Sequence, residues 1–157
     1  MPFRPFCLAV LLFASVSLPC QAQQEMSAGC DTSSTGPYAE FEIDGQPRID
    51  PLEVARTEQQ HEVGLMYRES LPSNGGMVFV YQRQATEGYW MHNTLLPLSI
   101  AWIDQNGTIV DIQDMQPQTD DVHFPAAPYW YALEVNQGWF VEHGVGVGQQ
   151  VVFCLGN

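Results

Sequence analysis

The sequence predicts a mainly β (α+β) domain, a small closed or nearly closed β-barrel carrying two short helices. Three observations carry this expectation. Short runs of alternating apolar and polar residues recur from Tyr38 to the C-terminus. Turn segments rich in Gly, Asn and Pro separate them, and only two stretches read as helix.

The elements follow in order. Tyr38–Ile43 alternates and stops at the turn signal Asp44-Gly45, and Leu52–Ala55 is a short strand. Thr57-Glu58-Gln59-Gln60 fits a capping box, with the Thr57 hydroxyl at the N-cap and Gln60 reaching back. Glu58 and Glu62 suit the positive end of that helix, which is expected to run to Met66 or Tyr67. Leu71 to Gly76 is a loop, and strands Met77–Tyr81 and Tyr89–His92 follow. Leu98–Asp104 and Thr108–Met115 flank Gln105-Asn106-Gly107, and Asn-Gly is the strongest hairpin dipeptide. An EF-hand reading of Asp104-x-Asn106-Gly107 fails, because the glycine arrives two positions early and no Glu closes the loop. Tyr129–Val135 is a strand with Tyr129, Tyr131, Leu133 and Val135 on one face and Trp130, Ala132 and Glu134 on the other. Asn136 is expected to cap a helix over Gln137–His143, stopped by Gly144, and Gln150–Leu155 is the last strand.

The N-terminus reads as an export signal. Arg4 supplies a positive start, Cys7 to Leu18 an apolar run of signal-peptide length, and Cys20-Gln21-Ala22 small residues for cleavage after Ala22. The expected organisation is signal peptide 1–22, flexible leader 23–37 and a single domain 38–157. The product is then periplasmic or secreted and makes no stable membrane insertion after cleavage. Lipidation at Cys20 is the competing reading, disfavoured by the preceding Leu18-Pro19.

The chain carries 18 acidic and 5 basic residues, a formal net charge of −13, and no lysine. Loss of Arg4 leaves Arg48, Arg56, Arg68 and Arg83 and a formal charge of −14. This excludes nucleic acid as a partner, whose phosphates demand a basic footprint, and disfavours anionic membrane surfaces. Solubility is the plain reading of such a surface, and cation attraction the sharper one.

Removal of the signal leaves two cysteines, Cys30 and Cys154. In an oxidising compartment they form a natural disulfide pair. A metal pair or redox pair competes, but nothing like Cys-x-x-Cys is present.

Several segments occur in a telling order. They are Gly64-Leu65-Met66-Tyr67-Arg68, Gly76-Met77-Val78-Phe79, Trp90-Met91-His92-Asn93-Thr94-Leu95-Leu96-Pro97-Leu98, Ala132-Leu133-Glu134-Val135-Asn136-Gln137-Gly138-Trp139 and Gly146-Val147-Gly148. Together they resemble domain-of-unknown-function family 192, over roughly Leu52 to Phe153. The resemblance implies a compact β-barrel-like fold and frequent export, and it implies no reaction. Two positions depart from the family pattern: His61 stands where arginine is favoured, and Ser99 where an acidic residue is usual.

The polar residues inside these motifs are Arg68, Asn93, Thr94, Glu134 and His92. Arg68 is most simply half of an ion pair, with Glu134 the obvious candidate partner. Asn93-Thr94 is equally a turn-former satisfying loop backbone. Trp90, Trp102, Trp130 and Trp139 invite a carbohydrate-stacking reading, against which core packing is the default. Met66, Met77, Met91, His92, Met115 and His123, or Asp120-Asp121-x-His123, are soft or divalent-cation donors. None has a spacing that forces a site, so no metal or cofactor is assigned.

The resulting expectation is a cleft edged by Arg68, Trp90, Asn93, Thr94 and Glu134 that binds a small polar ligand or an envelope partner. A hydrolase or lyase using Glu134 as acid/base with Arg68 as electrostatic stabiliser stands as an alternative. A structural or envelope-interaction protein without a small-molecule site stands as another. Nucleophilic catalysis lacks support, since no Gly-x-Ser-x-Gly occurs and the mature cysteines read as paired.

Overall fold

A computed structural model describes Cys30 and residues 35–156. The expected signal peptide, its cleavage site and Cys20 lie outside the described residues. Among the described residues eight strands run in the order β1 (Tyr38–Phe41), β2 (Arg48–Ile49), β3 (Leu52–Ala55), β4 (Gly76–Ala85), β5 (Leu98–Ile103), β6 (Ile109–Met115), β7 (Tyr129–Asn136) and β8 (Val151–Cys154). Helix α1 (Glu58–Val63) lies between β3 and β4, and α2 (Trp139–Glu142) between β7 and β8.

The barrel expected from the strand count does not close. The strands form a three-stranded sheet ordered β2-β1-β8 and a five-stranded sheet ordered β3-β4-β7-β5-β6. Among the described residues only β3 and β4 run parallel. A single bridge, Thr108↔Gln150, joins the two sheets at one margin. One bridge is too few hydrogen bonds to make a continuous ladder, so the sheets instead face each other across a shared core. That core gathers Ala39, Phe41, Ile49, Val151 and Phe153 from the smaller sheet against Val78, Ala101, Ile103, Leu133 and Val135 from the larger. A second cluster covers the opposite face of the five-stranded sheet. There the loop residues Leu65 and Met91 seal Met77, Phe79, Leu98, Ile100, Trp102 and Ala132.

Being covered on both faces explains why β5 lacks alternation: every residue from Leu98 to Ile103 is buried. The β5–β6 hairpin turns at Gly107, whose φ of +84° suits the Asn-Gly signal. Tyr131, Leu133 and Val135 face the inter-sheet core as expected. Tyr129 does not, joining the second cluster at the margin where the β4–β7 ladder is interrupted between Val80 and Ala85.

Helix α1 begins on the expected capping box. The Gln60 amide donates to Thr57 Oγ1 at 3.3 Å, and the Thr57 amide to Gln60 Oε1 at 3.0 Å. It ends at Val63, short of Met66, because Gly64 leaves the helical region with φ +46° and ψ −129°. Helix α2 also starts later than expected, with left-handed Gly138 at its N-cap and no side-chain cap. Asn136 is occupied elsewhere, donating to Pro72 O at 2.8 Å. The segment Tyr89–His92 is not a strand and contributes one bridge, Tyr89↔His123. Cys30 and Cys154 are disulfide-bonded, 124 residues apart, tying the lead-in to the last strand.

Candidate functional site

Three connecting segments meet over the second core cluster, and the sequence motifs supply two of them. The Tyr67 amide donates to Asn93 O at 2.9 Å, and Asn93 Nδ2 donates to the Tyr67 hydroxyl at 2.9 Å. The Gln118 amide donates to Thr94 O at 3.0 Å, and the Met91 amide to Thr119 O at 3.1 Å. Segments 64–68, 90–95 and 116–124 are thereby hydrogen-bonded to one another through Asn93 and Thr94.

This junction is conformationally strained. Four non-glycine residues have positive φ among the described residues, and three of them sit here: Tyr67 at +62°, Asn93 at +56° and Gln118 at +57°. Asparagine tolerates that region, but tyrosine and glutamine lose about 1–2 kcal/mol each by entering it. Surrounding hydrogen bonds hold them there.

The same segments leave large apolar side chains in solvent. Tyr67 (66 % exposed), Trp90 (49 %), Leu95 (44 %), Val122 (49 %) and Phe124 (62 %) all belong to them. Trp90 stacks on His92 with ring centres 5.0 Å apart and planes 23° apart. His92 is fixed in turn by Asp120, Nδ1 to Oδ1 at 2.7 Å. The expectation that tryptophans serve as core holds for Trp102 and Trp139 but not for Trp90, because the chain at residues 89–90 is loop rather than strand.

The five residues singled out from the sequence separate into three groups. Trp90, Asn93 and Thr94 share the junction, with Thr94 buried and closing the loop through its amide to Met91 O at 3.0 Å. Arg68 follows Tyr67 but reaches Glu53, its guanidinium donating to Oε2 at 2.6 Å. The expected Arg68–Glu134 pair therefore does not form. Glu53 stands on edge strand β3, where a half-exposed arginine can meet it. Glu134 stands on central strand β7, two strands inward in the same lateral row, with Met77 of β4 between them.

Glu134 is 5 % exposed. Among the described residues no hydrogen bond or ion pair satisfies its carboxyl. Burial pushes its pKa up to about 8, so at neutral pH it is mostly a neutral acid. Close by lies a feature the sequence reading missed, a chain of phenols. Tyr81 and Tyr89 hydroxyls lie 2.9 Å apart, and Tyr129 Oη donates to Glu87 O at 2.9 Å and lies 3.4 Å from Tyr81 Oη. Burial first, then the neighbouring phenols, hold Tyr89 and Tyr129 far above the usual phenol range. Tyr81 stands on β4 and Tyr129 on β7, Tyr89 stands in the connection between β4 and β5, and no spacing signal brings residues 81, 89 and 129 together.

Two further positions carry chemistry of a structural kind. Ser99, where the motif pattern favours an acid, donates to Asp114 Oδ1 on the paired strand and accepts from the Gly138 amide at 2.9 Å. The carboxyl is thus brought in from β6, and it steadies the turn leading into α2. A groove of about 350 Å³ opens between β3 and α1, with Glu53, Gln59, Val63 and Met77 among its walls, so the Arg68–Glu53 pair borders it.

Several of the donors considered for a metal have other places in the structure. Met77, Met91 and Met115 are core, His92 holds Asp120, and His123 Nδ1 lies 3.1 Å from Gln113 Oε1. Among the described residues no group of three or more His, Cys, Asp or Glu gathers to hold a metal. No described helix is long and apolar enough to cross a membrane.

Comparison with known proteins places this architecture. A Sinorhizobium meliloti 1021 protein, provisionally named a transcription regulator, shares 28 % identity and superposes with a TM-score of 0.70. The match covers 79 % of this chain and 98 % of that one. A Novosphingobium aromaticivorans DSM 12444 protein of unknown function shares 26 % identity with a TM-score of 0.69, over 80 % and 94 % of the two chains. No curated protein matches. The family model DUF192, described as Uncharacterized ACR, matches residues 39–153, which include both core clusters and the strained junction. The chain belongs to the DUF192 family.

Proposed function

We propose that this chain is an exported binding domain that holds a small polar ligand at the junction of segments 64–68, 90–95 and 116–124. One observation carries the reading. Three residues with left-handed backbone, Tyr67, Asn93 and Gln118, converge on a single place, Tyr67 and Asn93 bonded to each other and Gln118 to Thr94 O. Strain concentrated and locked in this way fixes side-chain directions, which is what a pre-formed site requires. Arg68 and the groove beside Glu53 flank that site. Export rests on the N-terminal sequence pattern alone.

A hydrolase or lyase built on Glu134 and Arg68 loses support, since the two residues do not pair and each has a different neighbourhood. The regulator name of the Sinorhizobium protein is not extended to this chain. Four arginines against 18 acidic residues after Ala22 leave no phosphate-binding footprint.

The test is a thermal-shift screen of the exported protein against sugars, amino acids, cations and organic anions. A ligand at a hundredfold its Kd adds about 2.7 kcal/mol. The reading expects at least one stabilising compound whose effect disappears in Asn93→Ala, in a variant that still folds. Stabilisation that persists in Asn93→Ala and in Trp90→Ala would place the site elsewhere and defeat the proposal.

A further inference from the structure

Trp90 presents an indole with one face covered by a side chain. His92 stacks beneath it, and Asp120 in turn pairs with His92 at 2.7 Å. The antiparallel bridge Tyr89↔His123 sets Val122 opposite Trp90 along the backbone. Beside the indole stand Asp120 Oδ2 and His92 Nε2, which have no partner among the described residues, and Asn93 Oδ1 in the same segment is likewise unpartnered. Asp120 and Asn93 have each spent their other polar atom on a neighbour, Oδ1 on His92 and Nδ2 on Tyr67.

Resting on the binding site proposed above, we infer that its ligand is a neutral saccharide. One pyranose ring would lie against the free face of Trp90 and direct its hydroxyls to Asp120, His92 and Asn93. A pyranose has an apolar face of axial C–H bonds and a polar rim of hydroxyls, and this platform has the complementary layout: a flat ring inside, planar acceptors and an imidazole outside. Anions are disfavoured by a chain of net charge −13. A quaternary cation would want rings on several sides or an unengaged carboxylate. Among the described residues no ring besides His92 packs against Trp90, although Tyr67 and Phe124 stand exposed in the same segments, and Asp120 already holds His92. A protein partner would want a broad uncharged centre, whereas Val122 sits between Asp121 and His123 and Trp90 lies two residues from His92.

The experiment is a heteronuclear NMR titration of the exported protein, following the Trp90 indole N–H, which is identified by its loss in Trp90→Phe. The probes are linear neutral glucan, mannan, xylan, galactan and chitin oligosaccharides, with choline and citrate as contrasting classes. The inference expects a saturable shift of the Trp90 resonance with at least one oligosaccharide. It also expects affinity reduced tenfold or more in Trp90→Ala and partly retained in Trp90→Tyr. Since Trp90 is half exposed, both variants are expected to keep the fold. Choline or citrate moving the Trp90 and Asn93 resonances while every saccharide is silent would overturn the saccharide and keep the binding site. Silence from all three classes would overturn both. Saccharide binding with undiminished affinity in Trp90→Ala would overturn the platform.

Discussion

Replacing Glu134 by glutamine should change the pH dependence of stability rather than simply lower stability. The carboxyl is 5 % exposed, without a partner among the described residues, and burial lifts its pKa from 4.5 to about 8. A carboxyl whose folded pKa is raised contributes its full stability below the unfolded pKa of about 4.5. That contribution is lost as pH climbs toward 8, because the unfolded chain releases its proton while the native state keeps it. The slope in that window is about 1.4 kcal/mol per pH unit. Between pH 5 and pH 7.5 the wild type should therefore lose about 3 kcal/mol on account of this one group. Glutamine fills similar volume and does not titrate. Urea unfolding of both proteins at the two pH values gives the assay, and the difference between variants cancels the other carboxylates they share. The expected result is a Glu134→Gln protein that gains about 3 kcal/mol relative to wild type on going from pH 5 to pH 7.5. A difference independent of pH would refute the argument and mean that Glu134 is ionised through a partner.

Other perturbations follow from the same geometry. Arg68→Ala should cost no more than about 1 kcal/mol in chemical denaturation, because both members of its pair are more than 40 % exposed. A loss of several kcal/mol would instead indicate a buried pair. Reducing the Cys30–Cys154 bridge, or replacing both residues by serine, should lower stability by roughly 4–5 kcal/mol in the chain-entropy model for so long a loop. Mass analysis under non-reducing conditions should find both thiols absent. Gly76→Ala should destabilise by about 1–3 kcal/mol by thermal unfolding, since a Cβ there would lie 2.8 Å from Glu134 O and 3.0 Å from Ile49 Cγ2. Unchanged stability would show that β4 and β7 can separate to admit a methyl group.

What the sequence determined by itself was local. The capping box at Thr57–Gln60, the Asn106-Gly107 hairpin and the strand nature of Leu52–Ala55 rest on neighbouring residues, and hydrogen bonds between near neighbours realise them. The Cys30–Cys154 pairing was legible by elimination, and the ordered motifs from Gly64 to Gly148 announced the family. Trp90, Asn93 and Thr94, which meet at the strained junction, stood out because polar and aromatic groups interrupt an apolar motif.

Tertiary structure decided everything that depends on which distant segments meet. Whether eight short strands close or split turns on a few hydrogen bonds between β6 and β8, and periodicity carries no trace of them. Arg68 chose Glu53 over Glu134 because a central strand buries its carboxyl while an edge strand offers one. Trp90 faces solvent because residues 89–90 bridge to a loop instead of joining a sheet, and Tyr67 reaches the junction only through a backbone angle that its side chain disfavours. Sequence patterns encode preferences within a few residues, whereas burial and pairing are settled by packing across the whole chain.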